Sequence, residues 1–373
     1  MVYIRGGARV SSKKHPRKTQ ANNRSGTTFK GVFKMKKSLM LSLVIVLAAT
    51  LVLSACGGQK GETQGAGDHE AGKTYEFKLV HVVQPTHVWN KTAEKLKEEL
   101  EQRSNGRMKL TIFPAAQLGT EKDYLQQLQT GSVEFGMITS AFMSTSFEEF
   151  NAWFMPFLFA DLKEATEARS SESAKAILGT LEQHGLVGLD FVFAGNRHIL
   201  MKGKPVTTPE DLKGKKFRII GSPAIMDFWE AVGTGPAPMP LAEVFTALQT
   251  GVIDGIDIDF DALMTEKYYE IAKDLTITNH MTFNAAVVMS KAVYDRLSPE
   301  DQQMIRDAVK AACDWGAEEA VRMEEENFEA LKNAGVRITE LENAESFRAV
   351  RDQIYEKYSR NPIIKAFIEE HKK

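Results

Sequence analysis

The chain has 373 residues, 43% of them hydrophobic, and a formal net charge of −2. This near-neutral total hides an asymmetry, because the first 56 residues hold eleven of the 47 Lys and Arg residues and none of the 49 Asp and Glu residues. The rest of the chain carries a formal charge of −13 without a basic run, which excludes an ordinary nucleic-acid-binding protein, since phosphate neutralisation needs clustered cations.

A signal segment is predicted near the start. Lys36 and Lys37 precede the apolar run Leu39–Leu53, which is shorter than the roughly 20 residues of a membrane span and ends at small residues. Because the run leads into Leu-Ser-Ala-Cys, it resembles the signal of bacterial lipoproteins, in which the cysteine, here Cys56, is lipidated. An ordinary cleaved signal is the alternative. We therefore expect an extracytoplasmic protein, lipid-anchored to the cell membrane.

The segments around this signal have simpler interpretations. Residues 1–34 are basic and polar, and we expect translation to begin at Met35, which leaves 1–34 as a mis-called extension and 35–56 as the signal. Residues 57–73 are rich in Gly, Glu and Gln, a composition typical of a flexible tether. After Cys56 only Cys313 remains, so we expect no intrachain disulfide and no cysteine-rich metal site.

The first elements of the globular part alternate between strand and helix patterns. Alternating or continuous apolar residues predict three strands, at Tyr75–Val80, Met108–Phe113 and Val133–Ile138. Helical spacing predicts a helix between each pair of strands, the first from Trp89 to near Gly106 and the second at Glu121–Thr130, capped by Gly131. This order is βαβαβ, one half of an open α/β sheet.

A second α/β unit is indicated by an internal sequence repeat. Leu128–Glu134 is matched by Leu248–Asp254, and both segments cross a helix–Gly–strand junction that follows a predicted strand, the second at Lys216–Ile220. We therefore predict two similar α/β lobes, with ligand chemistry where the carboxyl ends of their strands face the cleft.

A long helix is predicted after a further strand at Thr282–Met289. Ser298-Pro299 begins it, and helical spacing continues to about Gly335, roughly 54 Å at 1.5 Å per residue. Either it is one spine across both lobes, or it is two helices broken near Trp315-Gly316.

These motifs carry a family resemblance. From Tyr75 to about Gln353 the chain resembles the DctP-type substrate-binding proteins of tripartite ATP-independent periplasmic (TRAP) transporters. The resemblance rests on the order and spacing of Phe113–Gly119, the paired Leu128–Glu134 and Leu248–Asp254, Asp211–Arg218, Pro238–Phe245 and Asp254-Gly255. It implies a two-lobe, periplasmic-binding-protein-like α/β fold of class II type, with mixed sheets, crossing hinge strands and a long spine helix. Lobe 1 would comprise 74–195 and 283–322, and lobe 2 would comprise 196–282 and 323–373.

The resemblance also implies a carboxylate site. Arg218 occupies the place of the arginine that holds the ligand carboxylate in this family, and a planar guanidinium suits that role because it pairs bidentately and stays charged. In some members a second arginine lies after the first crossover, here Arg197. The alternative for Arg197 is a salt bridge that stabilises a lobe.

The remaining pocket positions depart from the sialic-acid-binding members. Thr139, Ile258, Leu241 and Val82 replace their glutamate, asparagine, phenylalanine and polar contact, which argues against sialic acid and favours a smaller or more apolar carboxylate. Asp257 either accepts hydrogen bonds from the ligand or caps the following helix, and Asp259 is expected to cap it. Trp89 completes the predicted ligand-binding set.

Other chemistries have little support in the sequence. His81, His87 and His198 match no metal-ligand spacing, and Gly233–Pro236 lacks the third glycine and the donors of a phosphate loop. No catalytic motif is present. The aromatic run Phe150–Phe159 is predicted to form lobe core, with any exposed part lining the cleft or meeting the membrane partner.

We therefore expect an extracytoplasmic receptor that captures a small organic acid (a mono- or dicarboxylate, keto acid or sugar acid) and delivers it to TRAP membrane subunits. This interpretation involves no catalysis, cofactor, metal or nucleic acid. The alternatives are a solute-binding lipoprotein of an ATP-driven importer and, less favoured, an envelope hydrolase.

Overall fold

The structure is a computed structural model, and it describes residues 73–341 and 345–372. The predicted extension, the start at Met35, the signal, Cys56 and nearly all of the tether lie outside the described residues.

Eleven strands are described. In chain order they are β1 Tyr75–Val80, β2 Met108–Phe113, β3 Phe135–Thr139, β4 Leu186–Asn196, β5 His198–Met201, β6 Lys216–Ile219, β7 Gly235–Pro238, β8 Gly255–Ile258, β9 Asp274–Ile277, β10 Thr282–Ser290 and β11 Arg337–Glu340.

Thirteen α-helices are described, three of them a single turn. In chain order they are α1 Val88–Arg103, α2 Glu121–Thr130, α3 Ser140–Met143, α4 Leu162–Ala168, α5 Glu172–Gly179, α6 Pro223–Val232, α7 Leu241–Thr250, α8 Phe260–Thr265, α9 Lys291–Tyr294, α10 Pro299–Asn333, α11 Glu345–Arg348, α12 Arg351–Tyr358 and α13 Pro362–His371. Short 3-10 helices lie at Glu148–Phe154, Glu182–His184, Pro209–Leu212 and Tyr268–Glu270.

The strands form two mixed sheets, one in each lobe. The lobe 1 sheet has the order β2-β1-β3-β10-β4, with β1 parallel to β2 and β3, and β10 antiparallel to its two neighbours. The lobe 2 sheet has the order β11-β9-β5-β8-β6-β7, with β6 parallel to β7 and β8, and β5 antiparallel to β8 and β9. The predicted α/β class with two mixed sheets is confirmed.

The chain passes directly from a strand of one sheet to a strand of the other at two adjacent crossings, and it passes a third time through α9 and α10 to β11. Arg197 is the single residue between β4 and β5, and residues 278–281 join β9 to β10. The crossings are tied together, because Arg197 N–H donates to Met281 O at 2.7 Å and Thr278 Oγ1 donates to Arg197 O at 3.2 Å. We call 278–281 the hinge segment.

The repeated helix–Gly–strand junctions have the same local geometry. Gly131 after α2 and Gly251 after α7 both adopt left-handed backbone, with φ of 78° and 73°. Each following strand begins four residues after the glycine, so β3 starts at Phe135 rather than at the predicted Val133. The prediction began too early because Ser132 and Val133 donate their N–H groups to Gln127 O and complete the helix end.

The predicted long helix is one continuous element. Ser298 caps α10 by accepting from Asp301 N–H at 3.1 Å, and its 35 residues span about 52 Å. Gly316 does not break it. This glycine allows α1 to approach closely, because a Cβ at this position would overlap the side chain of Thr92.

The last helix lies on lobe 1, so the sequence-based assignment of 323–373 to lobe 2 was wrong for α13. Phe367 packs edge-on against Trp153, with ring centroids 4.8 Å apart, and Glu370 accepts from Ser173 N–H at 3.1 Å. The apolar face of α13 is drawn there because lobe 1 offers an aromatic cluster to bury it. The preceding helix α12 instead contacts α6 of lobe 2.

Two further observations concern the spine helix and the membrane. Cys313 is buried on α10, and burial raises the pKa of its thiol well above the usual value. Among residues 73–341 and 345–372, no helix combines the length and the apolar character needed to cross a bilayer.

Candidate functional site

Arg218 lies at the carboxyl-terminal half of β6 and is 1% exposed. Because β6 runs parallel to β7, the residue after β7, Met239, reaches the same sheet edge, and its carbonyl accepts from Arg218 Nε at 3.1 Å and from Nη2 at 2.8 Å. Nη1 is buried and has no hydrogen-bond partner among the described residues. The guanidinium therefore keeps donor capacity that a ligand can use.

The charge of Arg218 is not neutralised by a neighbouring acid. No carboxylate of the described residues lies within ion-pairing distance of its guanidinium. Burial lowers the pKa of Arg218 to about 10, so the side chain stays protonated at neutral pH. A buried cation with an unused donor is costly unless an anion meets it, which makes this an anion-binding arrangement.

Arg197, unlike Arg218, is ion-paired with buried carboxylates. Its Nε ion-pairs with Asp257 Oδ1, its Nη1 donates to Asp259 Oδ2 at 2.8 Å, and its Nη2 donates to the Asp257 carbonyl. The guanidinium carbon also lies 4.5 Å from the ring centroid of Phe283. All three guanidinium nitrogens have acceptors, so the salt-bridge alternative raised from the sequence describes these contacts.

Asp257 is the centre of a buried polar network. Besides Arg197, it accepts from Trp229 Nε1 at 2.9 Å and hydrogen-bonds His280 Nε2 at 3.3 Å. Burial alone would raise the pKa of Asp257, but Arg197 and His280 hold it well below its usual value. Asp259 accepts from Ala262 N–H at 2.8 Å, so the predicted cap of α8 is confirmed for Asp259, whereas Asp257 is not a cap.

Two carboxylates near Arg218 were not predicted from the sequence. Glu121, at the start of α2 in lobe 1, accepts from Thr139 N–H at 2.8 Å; burial raises its pKa to about 7, against the opposing effects of Thr139 and of the Arg218 charge. Glu266, just after α8 in lobe 2, contacts Gln84 of lobe 1 at 3.4 Å, and burial raises its pKa. Both influence Arg218 electrostatically without forming an ion pair.

These residues escaped prediction for a specific reason. Glu121 reads as an ordinary first-turn acid of a helix, and Glu266 as a helix-end residue. Only the folded arrangement brings either one near Arg218: Glu121 approaches from lobe 1, and Glu266 from another element of lobe 2. The position of Tyr268 was missed because it depends on packing within lobe 2; its hydroxyl donates to Leu241 O at 3.3 Å, and its burial raises its pKa.

The other predicted site residues have varied surroundings. Thr139 is buried and caps α3 by accepting from Phe142 N–H at 3.0 Å. Ile258 lies in the lobe 2 core, Val82 is half-buried against the lobe 1 core, and half-buried Leu241 begins α7. Trp89 is buried and stacks on Phe283 with centroids 5.9 Å apart. The structure joins Arg197 to Asp257 directly and does not place the whole set in one contact group.

The three histidines weighed as metal ligands have separate surroundings. His81 hydrogen-bonds Asn90 at 3.2 Å, His87 caps α1 through Trp89 N–H, and His198 stacks on Phe260. Burial, with a contribution from His87, lowers the pKa of His81 to about 4. Within the part of the chain that the structure describes, no group of three or more His, Cys, Asp or Glu residues is placed to hold a metal ion.

Two α/β lobes, two adjacent crossings and a buried, unpaired guanidinium on a strand of one lobe define a two-lobe solute-binding protein. Residues 79–361 match the sequence model of DctP, the bacterial extracellular solute-binding protein family 7. The chain belongs to this family, whose members work outside the cytoplasm.

Named relatives agree with this assignment. The C4-dicarboxylate-binding periplasmic protein DctP of Rhodobacter capsulatus is 31% identical over 260 residues, which cover 69% of this chain and 78% of the relative. The 2,3-diketo-L-gulonate-binding periplasmic protein YiaO of Escherichia coli is 30% identical over 263 residues, covering 70% and 80%.

Solved structures show the same fold. A TRAP periplasmic solute-binding protein from a Bradyrhizobium species, in complex with galacturonate, is 29% identical and superposes with a TM-score of 0.76. The superposition covers 79% of this chain and 99% of that protein. The predicted resemblance to DctP-type TRAP solute-binding proteins is confirmed.

Proposed function

We propose that this protein captures a small organic acid by its carboxylate at Arg218 and delivers it unchanged to the membrane subunits of a TRAP transporter. The observation that carries the proposal is the buried guanidinium with an unpartnered Nη1 and no ion-paired carboxylate among the described residues. An incoming carboxylate would supply both the missing acceptor and the missing charge. The surroundings of Arg218 exclude water, and the attraction between the guanidinium and a carboxylate is stronger there because the local dielectric constant is lower.

The relatives support a carboxylate as the recognised group. A C4-dicarboxylate, 2,3-diketo-L-gulonate and galacturonate differ in size and hydroxylation, yet each carries a carboxylate. In this chain the half-buried Val82 and Leu241 are apolar, which favours a smaller or less hydroxylated acid than sialic acid. Thr139, Asp257, Ile258 and Trp89 remain proposed contributors to the shape of the site.

We assign Arg197 a positioning role in this proposal. Its contacts with Asp257 and Asp259 tie the crossing after β4 to the end of β8, the strand paired with β6, which carries Arg218. A ligand contact by Arg197 would have to compete with these ion pairs. Its substitution is therefore expected to disturb the fold as well as binding.

A membrane anchor completes the proposal. The lipoprotein-like signal would attach the mature protein through Cys56, and 57–73 would tether the two lobes to the membrane surface. Detergent-phase partitioning of the wild type and of Cys56→Ser tests this. Wild-type protein is expected in the detergent phase and the variant in the aqueous phase; equal partitioning contradicts lipidation.

The decisive experiment is a calorimetric screen of mono-, di-, keto- and sugar acids, followed by titration of Arg218→Gln with the best binder. Affinity is expected to fall by at least about 30-fold, because a buried charge-paired contact contributes roughly 2–5 kcal/mol. Lys216→Gln is the matched control, since Lys216 is exposed at the start of the same strand.

Two results would contradict the proposal. Unchanged affinity in Arg218→Gln would remove the carboxylate site from this position. Recovery of a chemically altered acid after incubation would favour an envelope hydrolase over a receptor, so the ligand is recovered and compared with the starting material by NMR.

A further inference from the structure

A cavity lies beside the hinge segment, and Arg218 is not among its lining residues. Its volume is about 330 Å³, within the usual range for small-molecule sites. One wall is formed by the lobe 1 loop at Phe157 and by Thr278 and Asn279 of the hinge segment, and the other by side chains of the C-terminal helices. We call it the hinge-face cavity.

The hinge-face cavity is lined by more positive than negative charge. Among the described residues of the lining, Arg348, Arg351 and Lys372 contribute three cations and Glu164 contributes one carboxylate. This excess stands against the formal charge of −13 that follows residue 56. A local cation cluster in an acidic protein concentrates anions at its own position rather than over the whole surface.

Two acids of the described residues pair with these arginines, and both are weak competitors for an anion. Glu345 contacts Arg348 at 2.9 Å and Asp352 contacts Arg351 at 3.0 Å, but both carboxylates are more than three-quarters exposed to solvent. Exposed ion pairs of this kind contribute little stability, so a multivalent anion can replace them.

Aromatic rings hold the cations in place. The guanidinium of Arg348 lies 5.7 Å from the ring centroid of Phe157, and Arg351 and Lys372 lie 6.0 Å and 5.8 Å from that of Tyr355. The Tyr355 ring is itself anchored, because its hydroxyl donates to Pro156 O at 3.0 Å. Cations stacked on anchored rings lose less freedom when they bind a guest.

The wall of the cavity contains strained backbone. Phe157 has a φ of 56°, a left-handed conformation that is costly for a bulky side chain, and its N–H donates to His280 O at 2.8 Å. The strained loop is thus bonded to the hinge segment.

We propose that the hinge-face cavity binds a compact oxyanion, a phosphate or a small polycarboxylate, through Arg348, Arg351 and Lys372. Thr278, in the same wall, donates to Arg197 O and hydrogen-bonds His280 at 2.7 Å. An occupant therefore contacts the crossing that joins the lobes, and its binding is expected to change the affinity of the Arg218 site for its acid.

The test titrates the full chain with inorganic phosphate and, separately, with malonate, by calorimetry at an ionic strength matched with sodium chloride. Arg218→Gln is used as the background, so that binding in the cleft does not contribute. Saturable binding is expected there, and it is expected to weaken about tenfold or more in Arg218→Gln/Arg351→Gln. Arg218→Gln/Arg322→Gln is the control, since Arg322 is exposed on α10 and does not line the cavity. The phosphate and malonate arms distinguish the two anion types.

Three outcomes would overturn the proposal: no saturable binding of either anion in Arg218→Gln, equal binding after removal of Arg351, or binding to wild type that disappears in Arg218→Gln. Arg351→Lys guards against a folding artefact, because it keeps the charge and should retain part of the affinity. These titrations use phosphate and malonate rather than the cognate acid. The proposal for this cavity and the proposal for the Arg218 site can therefore be contradicted independently.

Discussion

At the scale of single residues, the two buried arginines differ in what surrounds them. Arg197 has two ion-paired carboxylates, whereas Arg218 has the Met239 carbonyl and an unpartnered Nη1. Substituting Arg197 leaves Asp257 and Asp259 buried without their cation. Substituting Arg218 breaks no ion pair of a described carboxylate. The first residue therefore matters mainly for folding and the second mainly for binding.

This contrast gives a stability prediction. Arg197→Gln is expected to lower the free energy of unfolding by about 3–5 kcal/mol, the usual cost of breaking a buried pair by removing one partner. Arg218→Gln should change it by much less. Urea unfolding at neutral pH measures both, and a larger loss in Arg218→Gln than in Arg197→Gln would contradict the assigned roles.

Glu121 gives a pH prediction. Its pKa is raised from the usual 4.5 to about 7, so below pH 7 the folded protein holds a proton there and the site carries less negative charge. An ionised ligand should then bind more tightly as the pH falls from 8 to 6. Glu121→Gln should flatten this dependence, and Glu98→Gln, an exposed control on α1, should not.

The same proton affects stability, with the sign set by the raised pKa. Between about pH 4.5 and 7 the folded state keeps a proton that the unfolded state has released, so the free energy of unfolding should fall as the pH rises through this window. Glu121→Gln should remove that contribution. An unaltered pH profile of both affinity and stability in Glu121→Gln would exclude this effect.

Sequence reasoning reached part of the site for a physical reason. Arg218 was proposed because Asp211–Arg218 resembles the family segment that holds the ligand carboxylate, and the Asp259 cap was predicted because capping is a local signal. Glu121 was missed because its nearness to Arg218 depends on how the two lobes meet, and Glu266 because its nearness depends on how α8 packs within lobe 2. No pattern within α2 or α8 contains that information.

At the scale of elements, the contact between α1 and α10 depends on one glycine. The Gly316 backbone lies so close to Thr92 that any side chain must push the helices apart. Interior glycine normally weakens a helix by about 1 kcal/mol relative to alanine. Its presence in a continuous helix is explained by this packing.

Gly316→Ala is therefore expected to destabilise the protein by about 1–3 kcal/mol through overpacking, although alanine favours helix. Gly179→Ala is the matched control, because a Cβ there contacts nothing within 4 Å. Thermal unfolding compares the two. A stabilised Gly316→Ala would show that α1 can move away without loss.

The order of elements was predictable where short-range periodicity decides it. The strands β1 and β2, the helix α2 and the extent of α10 follow from alternation, helical spacing and caps, whereas the sequence left open whether α10 is broken near Gly316. The docking of α13 was not predictable, because its apolar face specifies only that it must be buried. Its partner, the cluster around Trp153, lies some two hundred residues earlier in the chain.

At the scale of the whole molecule, the C-terminal helices join the lobes. α13 packs on lobe 1, while α12 reaches α6 of lobe 2, where Asp227 accepts from Lys357 at 2.5 Å and from Tyr358 at 2.6 Å. In this arrangement Arg218 is enclosed. The contact at Asp227 therefore favours the closed form over forms in which the lobes separate.

Asp227→Ala is expected to shift the ligand-free protein toward more open forms and to weaken acid binding by up to about tenfold, since a charge-assisted contact is lost. Small-angle X-ray scattering should show a larger radius of gyration without ligand and a normal value with it. Glu230→Ala, exposed on the same helix, is the control. Identical scattering of wild type and Asp227→Ala would rule out this role.

The buried thiol of Cys313 can report local opening of the protein without an added probe. Its pKa is well above the usual value and it is enclosed in the spine helix, so an alkylating reagent can reach it only when that region opens. The rate of thiol alkylation in native buffer would then measure how often the region around Cys313 opens. A bound acid that holds the halves together should slow the reaction, which would allow ligands to be ranked without denaturant, heat or a dye.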